Sequence, residues 1–104
     1  MILFLKLAIA HFFFDYPGQG DFLAKAKNHT APIPGVPWYQ ALIAHSAIQA
    51  GAVWYLTGDP LFGCVEFCIH AITDYYKCDG RISYNVDQLI HLTCKALYAL
   101  TLYQ

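Results

Sequence analysis

The stretch Glu66-Phe-Cys-Ile-His70-Ala-Ile-Thr-Asp74 decides the fold, because it places three ionisable side chains at four-residue intervals in an otherwise apolar segment. Residues four apart lie on the same face of an α-helix, one turn above another. The stretch therefore predicts a helix with a narrow polar face. Ionisable side chains in apolar surroundings are costly unless they are paired, hydrated or bound to a metal. This face is therefore a candidate functional site.

Three other apolar segments carry polar side chains at similar spacing. The four segments cover residues 1–16, 38–57, 61–78 and 84–104. The loop over residues 17–37 holds four of the five prolines, and a Gly-Asp-Pro break precedes the third segment. These boundaries predict a single all-α domain over residues 1–104. It is expected to be a four-helix bundle with a Pro-rich loop between helices one and two.

The composition predicts that this bundle crosses a membrane. The chain is 58% hydrophobic and only 12% charged, against roughly 45–50% and about 25% in average soluble domains. Segments two to four have the length that crosses a hydrocarbon core of about 30 Å, whereas the first is short. A net charge of −1 excludes the basic surface that nucleic-acid binding requires. A homo-oligomer that buries the apolar surface between subunits is the alternative.

The basic residues of the loops predict an orientation. Lys25 and Lys27 lie in the first loop, Lys77 and Arg81 lie in the third, and the second loop has neither Lys nor Arg. Because basic loops favour the cytoplasmic side, loops one and three are expected to face the cytoplasm. The polar side chains of all four helices would then share one depth, near the cytoplasmic face. The segment 21–27 is interpreted as interfacial with its lysines in water, and His29 as solvated.

This common depth predicts one polar centre that binds a divalent metal. Imidazole and carboxylate donors suit several divalent ions, of which we expect zinc or manganese. The predicted ligands are His11, Asp15, His45, His70, Asp74, Asp87 and His91. The predicted catalytic residues are His11, Asp15, His70 and Asp74. The residues expected to orient them are Gln19, Gln49, Glu66 and Gln88, and Glu66 is also placed to pair with Lys95.

A metal centre of this kind suggests hydrolysis, since a bound metal lowers the pKa of water. The expected substrate is lipid-linked or phosphorylated, given the depth of the site. Two other interpretations of the polar residues stay open. They would form a hydrogen-bonded core in a non-catalytic protein that binds another membrane protein, or they would line an ion or solute path in an oligomer.

The order and spacing of these residues resemble a family of membrane proteins from bacteria and bacteriophages, domain of unknown function 3307. The resemblance rests on His11-x-x-x-Asp15-x-x-x-Gln19, Ala44-His45-Ser46, residues 66–77, and Asp87-Gln88-x-x-His91. It implies a small multi-pass protein of the bacterial inner membrane, or of the host membrane if phage-encoded. The expected partners are membrane lipid and, in the non-catalytic alternative, a host membrane protein. The family often has His where this chain has Gln49. Because Gln is a poor metal ligand, this difference argues against a second metal ion there. A more distant similarity is to predicted membrane-bound metal-dependent hydrolases.

Overall fold

The computed structural model describes residues 1–102, and within them the chain is all-helical with no strand. Five helices follow one another: α1 (Ile2–Asp15), α2 (Gly20–Ala26), α3 (Trp38–Thr57), α4 (Pro60–Cys78) and α5 (Tyr84–Leu102). The four long helices agree closely with the predicted segments. The expected count of four was wrong, because the Pro-rich loop contains the short helix α2. The last two positions of the fourth predicted segment lie outside the described residues.

Local sequence signals account for the helix ends. Gly58 ends α3 in the left-handed conformation, with φ 72°, which only glycine adopts at little cost. Asp59 then caps α4 by accepting a hydrogen bond from the Leu61 amide at 2.9 Å, with Pro60 in the first turn. Ser83 accepts a hydrogen bond from the Val86 amide at 3.1 Å before α5. These caps satisfy backbone groups that have no partner inside the helix.

The four long helices form a closed ring. α3 packs along α4, α4 against α5, α5 against α1, and α1 against α3, while α2 lies on α3. Gly63 permits the close approach of α4 to α3, since a side chain there would begin 3.1 Å from Cβ of Trp54. The ring leaves one interior that is shared by all four long helices.

That interior is polar over most of its length, whereas much of the surface is apolar. Twelve buried side chains that α1, α3, α4 and α5 contribute are polar or charged, among them four histidines and a lysine. Large apolar side chains such as Ile9, Tyr55 and Leu89 are exposed on the long helices. This distribution is the reverse of the one usual in globular proteins.

None of the five helices is both long enough and apolar enough to qualify as a membrane span within the described residues. The prediction of four membrane-spanning helices is therefore not supported. α1 has only 14 residues, and the polar side chains that α3, α4 and α5 bury lower the mean hydropathy of those helices.

Candidate metal centre

Nine buried polar side chains of the long helices and the half-buried Gln88 form one connected cluster, which we call the polar centre. α1 supplies His11 and Asp15, and α3 supplies His45. α4 supplies Glu66, His70 and Asp74, and α5 supplies Asp87, Gln88, His91 and Lys95. The four-residue spacing directs each set toward the middle of the ring, so the structure brings all seven predicted ligands together. Lys27, which follows α2, is an eleventh member that the sequence did not indicate.

Two histidines and two carboxylates meet at the middle of the centre. Nε2 of His45 lies 3.0 Å from Nε2 of His70 and 3.1 Å from Oδ1 of Asp15. Oδ2 of Asp74 lies 3.6 Å from Nε2 of His45 and 4.0 Å from Nε2 of His70. All four side chains are buried. These four atoms offer more lone pairs than hydrogens, which is the arrangement that a cation satisfies.

His70 is held in one tautomer by Glu66. Nδ1 of His70 lies 3.2 Å from Oε2 of Glu66, and a carboxylate at that distance favours the hydrogen on Nδ1. Nε2 of His70 is then free of hydrogen and faces His45. Burial lowers the pKa of His70 to about 4, although the hydrogen bond to Glu66 opposes this shift. His70 is therefore neutral near pH 7, as a metal ligand must be.

Glu66 is charged and fully paired. Lys95 Nζ donates to Oε2 of Glu66 at 2.8 Å, and the Tyr98 hydroxyl donates to Oε1 at 3.2 Å. Burial would raise the pKa of Glu66, but the hydrogen bonds from His70 and Lys95 outweigh it and lower the pKa to about 2. The ion pair that the sequence suggested between Glu66 and Lys95 is present.

Two side chains from other helices, His45 and Gln88, form hydrogen bonds with the carboxylate of Asp15. Gln88 Nε2 donates to Oδ2 of Asp15 at 2.8 Å, and Gln88 Oε1 accepts from His11 Nε2 at 3.0 Å. Burial would raise the pKa of Asp15, but the hydrogen bonds from His45 and Gln88 hold it well below its ordinary value. Gln88 thus orients Asp15, and His11 orients Gln88.

The remaining predicted residues lie at the edges of the centre. His91 Nε2 lies 3.2 Å from Oδ1 of Asp87, and its ring stacks on that of His70 with centroids 4.2 Å apart. Gln49 and Gln19 face backbone carbonyls, at 3.5 Å from His11 O and 2.9 Å from Asp15 O respectively. Neither glutamine therefore orients a ligand side chain directly.

Two predictions about the first loop are wrong. Lys27 is buried, and its Nζ lies 2.6 Å from Oδ2 of Asp74, because the loop folds back over the bundle. His29 is not fully solvated. Its ring stacks on Tyr75 with centroids 3.9 Å apart, and its Nε2 lies 3.0 Å from Oδ1 of Asp79. His29 therefore anchors the loop outside the polar centre.

Within the described residues, two groups of three side chains could hold a metal ion. Asp15, His45 and His70 form one group, and Glu66, His70 and His91 form the other. In each group, one ligand atom from every residue lies within 4.8 Å of the others. Both groups contain His70, so they share one ligand and compete for it.

Comparison with known proteins gives one match. No curated protein and no solved structure matches the chain. The model of one family, described as a protein of unknown function (DUF3307), matches residues 3–104, which include every member of the polar centre. The chain therefore belongs to the DUF3307 family.

Proposed function

We propose that the protein binds one divalent metal ion through Asp15, His45 and His70, with Asp74 as a fourth ligand. The observation that carries the proposal is the approach of two imidazole Nε2 atoms to 3.0 Å, with Oδ1 of Asp15 3.1 Å from one of them. Two imidazoles and one or two carboxylates, all buried, are a common ligand set for zinc and manganese. The hydrogen bonds from His70 to Glu66 and from Gln88 to Asp15 are the supporting contacts such ligands usually have.

The first group of ligands fits a metal better than the second. Glu66 in the second group already pairs with the ammonium of Lys95 at 2.8 Å. A metal there would place a second cation against one of its three ligands, whereas in the first group only the added fourth ligand, Asp74, has ammonium partners. In the first group Asp15 contacts no ammonium group, and its partners are the imidazoles of His45 and His11 and the amide of Gln88. An ion at the first group would therefore leave the buried pair of Glu66 and Lys95 intact.

The finer proposal is hydrolysis of a lipid-linked or phosphorylated substrate. A bound divalent ion polarises a phosphoryl or carbonyl oxygen and activates water. The residues of this chain would hold the ion and exclude bulk solvent, since Asp15, His45, His70 and Asp74 are buried. His11 Nε2 lies closer to Oε1 of Gln88, at 3.0 Å, than to Oδ2 of Asp15, at 3.7 Å, so we assign it to positioning rather than to proton transfer.

Metal content tests the proposal. Purified protein is expected to retain about one zinc or manganese ion per chain, as a closed site of this type does. His45→Ala and His70→Ala should each lose the ion, whereas His29→Ala should keep it because His29 lies outside the centre. Elemental analysis and circular dichroism of all four proteins give the comparison. Wild-type protein that stays metal-free after zinc and manganese addition would favour the alternative of a hydrogen-bonded core.

We also propose that lipid of a bacterial inner membrane covers part of the apolar surface. Exposed side chains such as Ile2, Phe13, Tyr55 and Leu100 support this, because apolar patches of that extent mark contact with a membrane or partner. Flotation with vesicles of bacterial lipid is the test. Protein that floats with vesicles supports the proposal. Protein that stays behind as a stable oligomer supports burial of the surface between copies.

A further inference from the structure

Two lysines approach the polar centre from different parts of the chain. Lys27 Nζ lies 2.6 Å from Oδ2 of Asp74. Lys77 Nζ lies 3.4 Å from Oδ1 of Asp74 and 3.7 Å from Oδ2 of Asp87. Lys27 is only 3% exposed, and lysine is almost never buried to that degree unless it is paired. Two ammonium groups thus converge on Asp74, the proposed fourth ligand, which lies beside the ligands Asp15, His45 and His70.

Oδ2 of Asp74 places Lys27 beside those ligands. The same oxygen lies 2.6 Å from Lys27 Nζ and 3.6 Å from His45 Nε2. A metal ion that took Asp74 as a ligand would compete with Lys27 for this oxygen. The ammonium of Lys27 would lose part of its pairing and would need another anion nearby.

The net charge of the polar centre and its lysine partners changes sign when a divalent ion binds. The centre contains four carboxylates, Asp15, Glu66, Asp74 and Asp87. Against them stand three ammonium groups, those of Lys27, Lys77 and Lys95. One negative charge is therefore in excess, and a divalent ion turns it into one positive charge. Because an uncompensated buried charge is costly, the loaded centre favours an anionic ligand.

Lys77 marks the side from which such an anion can approach. Its side chain is 24% exposed, whereas that of Lys27 is 3% exposed. It lies at the end of α4, 5.9 Å from the ring of Tyr84. The Tyr84 ring is in contact with Tyr16, and both tyrosines are exposed. Lys77 is therefore the more solvent-accessible of the two ammonium groups that contact Asp74.

We propose that Lys27 and Lys77 form a binding site for an oxyanion of the phosphate type beside the metal centre. The inference rests on the proposed metal binding and names the substrate class for it. In the metal-free protein Lys27 occupies Asp74, and in the loaded protein it contacts the oxyanion. Lysine is a common phosphate-binding residue in proteins, and the metal supplies the additional positive charge.

The test measures binding of inorganic phosphate by calorimetry to protein loaded with metal and freed of excess metal. Metal-loaded protein should bind phosphate, and metal-free protein should bind it at least about tenfold more weakly, the effect expected for losing a contact to a charged group. Lys27→Met and Lys77→Met should each weaken phosphate binding about tenfold while keeping the metal. Lys27→Met should also raise the metal affinity by removing a competing cation.

Lys25→Met is the matched control, because Lys25 lies on α2 two residues before Lys27 and is exposed. It should change neither affinity. Lys77→Met keeps the test valid if Lys27→Met does not fold. Wild type and variants that bind phosphate equally well with metal bound would overturn the inference alone. Failure of wild type to bind metal would overturn the proposed function and the inference with it.

A further arm identifies the source of the oxyanion. Metal-loaded protein is mixed either with a water-soluble phosphate monoester or with vesicles containing phosphatidic acid. If Lys77→Met weakens binding to either of these ligands, the result supports the oxyanion site. The ligand affected shows whether the phosphate is free or carried by lipid. Binding of neither contradicts it.

Discussion

The two ends of the helical bundle have opposite interiors. At one end Leu7, Val53 and Tyr98 form a small apolar cluster, with Leu3, Leu56, Phe62 and Cys94 packed against it. At the other end the interior consists of the polar centre. The change from apolar to polar interior takes place along each helix. On α1, for example, the buried residues are Leu7, then His11, then Asp15. The helices are continuous through both ends, so only the side chains differ.

This difference indicates which end stabilises the fold and which end provides the groups that could bind a metal. Burial of Leu7 and Val53 is favourable in itself. Burial of Glu66 and Lys95 is at best neutral in comparison with apolar residues of similar size. The small apolar cluster must therefore hold the helices together while the polar centre remains costly. A centre of that cost is most simply explained by a ligand that stabilises it.

Removing one partner of the buried ion pair should have the largest effect on stability. Glu66→Ala leaves the ammonium of Lys95 buried and unpaired, and it also removes the acceptor of His70 and Tyr98. We expect the free energy of unfolding to fall by about 3–5 kcal/mol. Chemical denaturation followed by circular dichroism measures the change.

A double replacement is the control for that experiment. Glu66→Leu combined with Lys95→Met removes both charges and keeps similar volumes, so most of the stability should return. If Glu66→Ala and the double variant were equally destabilised, the loss would come from packing. The polar end would then not differ from the apolar end in the way described.

A substitution at the apolar end should affect stability alone. Leu7 is 1% exposed, and Leu7→Ala should cost about 2–5 kcal/mol through lost burial and the resulting cavity. Its metal content should match that of wild type, in contrast to His45→Ala. Unfolding and elemental analysis on the same samples check both points. Loss of metal from folded Leu7→Ala would show that the two ends are coupled.

Acidification should lower the free energy of unfolding in two steps, through His70 and then Glu66 of the polar end. The pKa of His70 falls from 6.5 to about 4 in the folded chain, so the unfolded chain binds this proton first and stability decreases as pH falls from 6.5 toward 4. The pKa of Glu66 falls from 4.5 to about 2, so a further decrease follows below pH 4.5. Unfolding free energy measured against pH should show both decreases, and His70→Ala should show a smaller first decrease, because burial lowers the pKa of His11 as well. A profile of His70→Ala identical to that of wild type would contradict the assignment.

The smallest effect is expected where the two ends meet. Tyr98 belongs to the apolar cluster, yet its hydroxyl donates to Glu66 at 3.2 Å. Tyr98→Phe removes only this hydrogen bond, so stability should fall by about 1 kcal/mol. A shift in the denaturation midpoint without a change in slope would agree. An unchanged midpoint would show that Lys95 and His70 suffice to hold Glu66.

The fold and most of the centre follow from local rules that the sequence displays. The four-residue spacing of Glu66, His70 and Asp74 predicted both the helix and its inward face. The alternation of helix direction predicted that Asp15, at the end of α1, would meet Asp87, at the start of α5. Both inferences need only helical geometry and chain order.

The rest depends on contacts between distant parts of the chain. Lys27 follows Lys25 in a Pro-rich loop, and nothing near it in the sequence indicates that it pairs with Asp74. The choice between the two ligand groups depends on Lys95, which pairs with Glu66 across two helices. The stacking of His29 on Tyr75 likewise joins residues far apart in the chain. Composition and segment length predicted membrane spans, but the polar side chains within α3, α4 and α5 keep each of these helices below the mean hydropathy of a span.

Anomalous diffraction from crystals of the zinc-loaded protein tests the central claim most directly, because it locates each ion. We predict one zinc ion bound by Nε2 of His45, Nε2 of His70 and a carboxylate oxygen of Asp15, at distances of about 2.0–2.2 Å. An ion bound instead by Glu66 and His91, or no ion in the polar centre, would contradict the account.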